Sequence, residues 1–127
     1  MLDQTARLAY LYVGSRDVDA DLAFYRDRLG AEVVWDIEGI ETHVAAVRLG
    51  EGPLVLLADH RPAPSVLPIW AVDDLDAAAA TLAAAGWTKS LRRVEVPDGP
   101  ILLLSDPSGN EVGLLEPVRG AVLERPS

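Results

Sequence analysis

Few side chains in this chain are able to do chemistry. His43 and His60 are its only histidines, and it has no cysteine. Thiolate nucleophiles, thiolate zinc sites and disulfides are therefore excluded, and the redox compartment leaves no mark. Ser15, Ser65, Ser90, Ser105 and Ser108 fall in expected turns or at strand ends, and none stands in a Ser/His/Asp pattern. No GxxxxGK phosphate loop is present, so nucleotide hydrolysis is unsupported. What remains is a scatter of tyrosines, tryptophans, acids and arginines. His43 either begins a strand in solvent or serves as a hydrogen-bond donor or base. Arg48 alternates with Val44 and Ala46, an odd place for a solvent-facing charge. It either selects an anionic or carbonyl group in a cleft or contacts a second subunit. His60 sits in a linker and is assigned no role, and Arg92-Arg93 reads as an exposed strand or rim.

Composition narrows the partners. The 127 residues are enough for one domain, and with 50% of them apolar a core can form without staples. Eleven basic against twenty acidic residues leave a net charge of −9, which repels phosphate backbones and anionic lipid headgroups. Neither a nucleic-acid nor a membrane partner is expected. The acidity either favours a cationic ligand or serves solubility alone. Residues 1–7 are too polar for a secretory leader. The most apolar stretch, Ala77 to Trp87, has 11 residues, against the ~20 needed to span a bilayer. A cytoplasmic protein is the expectation.

The elements that must position these groups follow from pattern. Ala9–Val13 is aromatic and β-branched, and predicts a strand. After Asp17, apolar residues at 18, 22, 25 and 29 trace one face of a helix. Asp17 can cap that helix and Gly30 can close it. Strands are predicted at Glu32–Ile37, His43–Leu49 and Leu54–Ala58. Arg61-Pro62-Ala63-Pro64-Ser65 is a stiff break, and then the order repeats. Leu67–Val72 predicts a strand, Asp74 a cap, and Leu75, Ala79 and Leu82 a helix ending at Gly86. Further strands are predicted near Leu91–Val96, Ile101–Ser105 and Glu111–Leu115, the last two joined by an Asp106-Pro107-Ser108-Gly109-Asn110 turn. Asp17-Val18-Asp19-Ala20 matches Asp74-Leu75-Asp76-Ala77 at an offset of 74 − 17 = 57, and Leu56-Leu57 matches Leu114-Leu115 at 114 − 56 = 58. A whole βαβββ unit is duplicated. The expected division of residues 1–127 is a module at 7–60, a linker at 61–66, a second module at 67–117 and a tail at 118–127.

Three segments on this frame carry a family resemblance: Arg16-Asp17-Val18-Asp19 with Leu22 to Gly30, then Val72-Asp73-Asp74-Leu75-Asp76-Ala77, then Asp106 to Asn110. In that order the chain resembles the vicinal oxygen chelate superfamily of glyoxalases, extradiol dioxygenases and bleomycin-resistance proteins. The resemblance implies an α+β fold in which two tandem modules form curved mixed sheets around a cleft, with helices on the convex side. It also implies where a metal would sit in the family's enzymes, commonly held by two His and two Glu. Carried over position by position, those sites are Tyr10, Leu67, Gly113 and Val55, or Leu56 if the register slips by one. Leucine, valine and glycine offer no side-chain donor, and a neutral tyrosine is a poor ligand. No metal or other cofactor is therefore expected.

By strand alternation, Tyr12 joins Tyr10 on the cleft face, Ile69 joins Leu67, and Glu111 joins Gly113, while Trp70 goes to the core. Trp35 lies on the cleft or seals the sheet edge, and Trp87 packs against a helix end. The expected ligand-binding residues are Tyr10, Tyr12, Trp35, His43, Arg48, Val55, Leu67, Ile69, Glu111 and Gly113. The expected function is that of a metal-free binding protein of the bleomycin-resistance type, sequestering a drug or metabolite, cationic or aromatic, as a homodimer. No catalytic residue is assigned. The alternatives are a metal-independent isomerase or cyclase using Tyr10, Tyr12, His43 and Glu111 as acid/base groups, or a divergent metal enzyme using His43 and Glu111.

Overall fold

The structure is a computed structural model that describes residues 6–87, 92–96 and 98–118. Ser90, the predicted strand start at Leu91 and the tail beyond residue 118 lie outside the described residues. Two compact units divide the described chain, one of residues 10–67 and one of 68–118 with residues 6–9.

In the first unit, β1 (Arg7–Gly14) leads to α1 (Val18–Ala23), followed by β2 (Glu32–Glu38), β3 (His43–Arg48) and β4 (Leu54–Ala58). β1 pairs in parallel with β4, and β3 lies antiparallel between β4 and β2. Asp17 caps α1 as expected: its backbone is extended and its carboxylate accepts the Ala20 N–H at 3.1 Å. The helix itself is shorter than its pattern. After Ala23 it widens into a π-helical turn, Phe24–Arg28, in which the Leu29 N–H reaches the Phe24 carbonyl at 3.3 Å. The wider turn shifts the phase of the face. Val18, Leu22 and Tyr25 pack on Ala45, Val47 and Leu57, while Leu29, predicted on the same face, is exposed. Gly30 then closes the segment at φ +74°.

The second unit repeats this order with β5 (Val66–Ala71), α2 (Leu75–Ala84), β6 (Arg92–Val96), β7 (Gly99–Ser105) and β8 (Glu111–Leu115). β5 runs parallel to β8, and β7 lies antiparallel between β8 and β6. Asp74 caps α2 through the Ala77 N–H at 3.0 Å, and Glu116 Oε1 accepts the Leu75 N–H at 2.7 Å. Both units thus share one α+β topology, as a duplicated sequence requires. The Asp106 to Asn110 turn is built on one carboxylate, which accepts from the Ser108 and Asn110 backbone N–H groups and from Asn110 Nδ2. Those hydrogen bonds, the Asn110 side chain foremost, hold the Asp106 pKa below the ordinary carboxylate value.

Helix-side cores are separate in the two units. The second comprises Val72, Leu75, Ala78, Leu102 and Leu114. Trp70 takes the same face of β5, in register with Leu114, yet it is 38% exposed and lines an apolar hollow of about 250 Å³ with Leu82, Leu104 and Val112. Its predicted face is correct and its assignment to the core is not, because the surface beside α2 stays open there. Trp87 is half-buried, and its backbone N–H bonds the Leu82 carbonyl of α2.

Candidate functional site

Register decides which side chains share a face, since paired residues in neighbouring strands point the same way. In the first unit Tyr12, Leu56, Ala46 and Trp35 form one row across β1, β4, β3 and β2. Its face is the one turned away from α1, because Val13, Ala45, Val47 and Leu57 pack under the helix. Tyr10, in register with Leu54, and Arg48, in register with Glu32, lie on it too. A register shift between Val33 and Trp35 puts Val33 under the helix and Trp35 on the opposite face. That bulge resolves which side Trp35 takes.

Most of this face is packed. Tyr10, Trp35, Ala46, Leu54 and Leu56 are all buried. On this face Tyr12, Val44 and Arg48 are half-buried, and Glu32 and Ile37 are exposed. Tyr12 meets the ring of His60 edge-on, with centroids 6.2 Å apart. His60 was assigned no role from the sequence, because a residue beyond a strand end carries no alternation to place it. Arg48 has no ion-pair partner among the described residues, which is notable in a chain of net charge −9.

Two expected members of the face lie elsewhere. Val55 packs on the helix-side cluster, in register with Leu11, so Leu56 is the β4 residue on the other face. His43 alternates with Ala45 and Val47 and therefore also faces the helix side. It stands among carboxylates there: Nε2 lies 2.6 Å from Asp36 Oδ1 and Nδ1 lies 3.5 Å from Glu38 Oε2. Burial disfavours the charged ring, but the hydrogen bond and charge of Asp36, with Asp19 and Glu38, raise its pKa above the usual histidine value. Donor atoms of Asp19, Glu38 and His43 lie within 4.8 Å of one another. By type this set suits a divalent cation, yet both ring nitrogens are already engaged by carboxylates. The cluster works as an ion-pair hub joining α1, β2 and β3.

In the second unit Ile69, Gly113 and Leu103 are in register on the face away from α2, and Leu67 follows the same alternation on β5. Glu111 shares that face and lies 3.8 Å from Arg92. A Cβ at Gly113 would come 2.5 Å from Ile69 Cδ1 and 3.2 Å from Ile101 Cγ2. The space next to this glycine is thus already filled by hydrocarbon. Buried Tyr10 and Leu67, the Leu56 side chain and the hydrocarbon at Gly113 do not fit a metal at the positions the resemblance points to.

Comparison with known proteins agrees with this architecture. A family model described as "Glyoxalase/Bleomycin resistance protein/Dioxygenase superfamily" matches residues 7–114. No curated protein matches the chain. Among solved structures, a member of that superfamily from Vibrio splendidus 12B01 is similar with a TM-score of 0.66 at 19% identity, over 90% of this chain and 100% of the other. A hypothetical protein from Bacillus halodurans C-125 reaches 0.74 at 13% identity, over 93% and 99%. Methylmalonyl-CoA epimerase from Mycobacterium tuberculosis reaches 0.65 at 18% identity, over 93% of each chain. At such identities the likeness concerns the fold, and the family match carries the classification. The chain belongs to the glyoxalase/bleomycin resistance protein/dioxygenase superfamily.

Proposed function

We propose that this chain is a metal-free small-molecule-binding member of its superfamily, which holds an organic ligand without transforming it. One observation carries the reading: the positions where the family's enzymes commonly place metal ligands hold Tyr10, Leu67, Gly113 and Leu56, and the room beside Gly113 is occupied by Ile69 and Ile101. The ligand face is that of the first sheet opposite α1. Tyr12 offers an aromatic surface edged by His60, Trp35 lies in the same row, and Arg48 offers a guanidinium with no ion-pair partner among the described residues. A planar molecule bearing a carboxylate or carbonyl suits these groups, since arginine binds such oxygens in a two-pronged manner. Sequestration needs affinity alone, about −8 kcal/mol for micromolar binding. We extend the proposal to a cytoplasmic homodimer.

A thermal-shift screen with aromatic carboxylates and drug-like compounds tests the proposal, followed by calorimetry and mass spectrometry of the recovered ligand. The expected result is a stabilising compound recovered unchanged, whose affinity falls about tenfold or more in Arg48→Met. Conversion of the compound, or stoichiometric divalent metal in the purified protein, would overturn it.

A further inference from the structure

The first unit holds a second opening, on the α1 side of its sheet and apart from the face just described. A cavity of about 370 Å³ is lined by Arg16, Asp17, Asp21, Phe24, Tyr25 and Pro64 among others. Its size lies at the small end of ordinary ligand sites. Two of its walls are held in place. A Cβ on Gly14 would sit 1.9 Å from the Pro62 carbonyl oxygen, so strand and linker meet there at backbone distance. The Arg16 guanidinium donates to the Ala63 carbonyl at 2.7 Å, which ties the linker to the start of α1.

The charge in this cavity is uneven. Asp21 accepts a short hydrogen bond from the buried Ser15 hydroxyl through Oδ2, and Asp17 uses Oδ1 for the Ala20 N–H. Each carboxylate keeps lone pairs for another donor. Arg16 is the only cation among the lining residues, and its Nη2 is committed to Ala63. Beside these acids the π-helical turn sets out Phe24 and Tyr25, with rings edge to face at 5.6 Å and 89°. Phe24 is 52% exposed although it is large and apolar. Carboxylates next to aromatic rings favour an ammonium or guanidinium head on an apolar body. A net charge of −9 raises the local concentration of such cations.

We propose that this cavity is a second ligand site, one that takes a small organic cation. It is independent of the Arg48 face, whose charge selects the opposite sign. The test is calorimetry with benzylammonium and, as its uncharged match, benzyl alcohol. Wild type should bind benzylammonium about tenfold more tightly than the alcohol. Asp21→Asn keeps an acceptor for Ser15 and, with Asp17 still lining the cavity, should cut that preference several-fold. Phe24→Ala, at an exposed position, should weaken benzylammonium several-fold. Arg48→Met should leave both compounds unaffected. Undetectable benzylammonium binding at millimolar concentration, a preference unchanged in Asp21→Asn, or full affinity in Phe24→Ala would overturn the proposal. Loss of binding in Arg48→Met would also do so, by assigning the cation to the other face.

Discussion

Single residues carry unusually explicit constraints in this protein. Gly14 is fixed by its neighbour, since any side chain must displace the Pro62 backbone. Gly14→Ala should therefore cost about 1–3 kcal/mol in denaturant unfolding, the usual range for overpacking, whereas Gly52→Ala, whose new Cβ would meet the Leu49 carbonyl oxygen at an ordinary 3.4 Å, should behave close to wild type. Asp106 makes a pH prediction. Its folded pKa is lowered by Asn110 and the turn backbone, so its contribution is complete above the unfolded carboxylate value and fades as pH falls through the folded one. Asp106→Asn should flatten the acid limb of stability against pH, and an unchanged limb would show that the turn does not depend on the charge. At this scale the sequence was only partly legible. Tyr10 and Tyr12 could be placed on one face, but Arg48, Val55 and His43 could not. β3 reads Val-Ala-Ala-Val and β4 Leu-Val-Leu-Leu-Ala, apolar on both faces, so alternation alone gives no direction.

Elements were easier to read, because caps and turns state their chemistry locally. Asp17 and Asp74 occupy equivalent positions and make the same bond to the third residue after them. Replacement of either by alanine should cost about 1 kcal/mol. Asp74→Ala should be the milder change, because Glu116 also accepts from the first turn of α2, and thermal unfolding of the two variants compares them directly. The π-helical turn was hidden from periodicity for a physical reason: an i→i+5 turn shifts the phase without changing residue types. That shift exposes Phe24 and Leu29 while Tyr25 stays against the core.

For the whole molecule, duplication was the most legible property. Two offsets differing by one residue predict two copies of one topology, and the strand pairings repeat as required. What the sequence could not convey was how full the sheet faces are, because side-chain volume beside a glycine depends on neighbours from other strands. Tyr10, Trp35, Leu67 and Ile69, all expected to bind a ligand, are buried in the sheet faces of their own units. Size-exclusion chromatography with light scattering should give twice the chain mass for the proposed dimer. Added zinc or manganese should leave the melting temperature within about 1 °C if no site binds the ion appreciably.

The hydrocarbon around Gly113 also limits what this position can accept. A glutamate there would bring its first carbon within 2.5 Å of Ile69 Cδ1, so it could enter only if the end of that buried side chain moved aside.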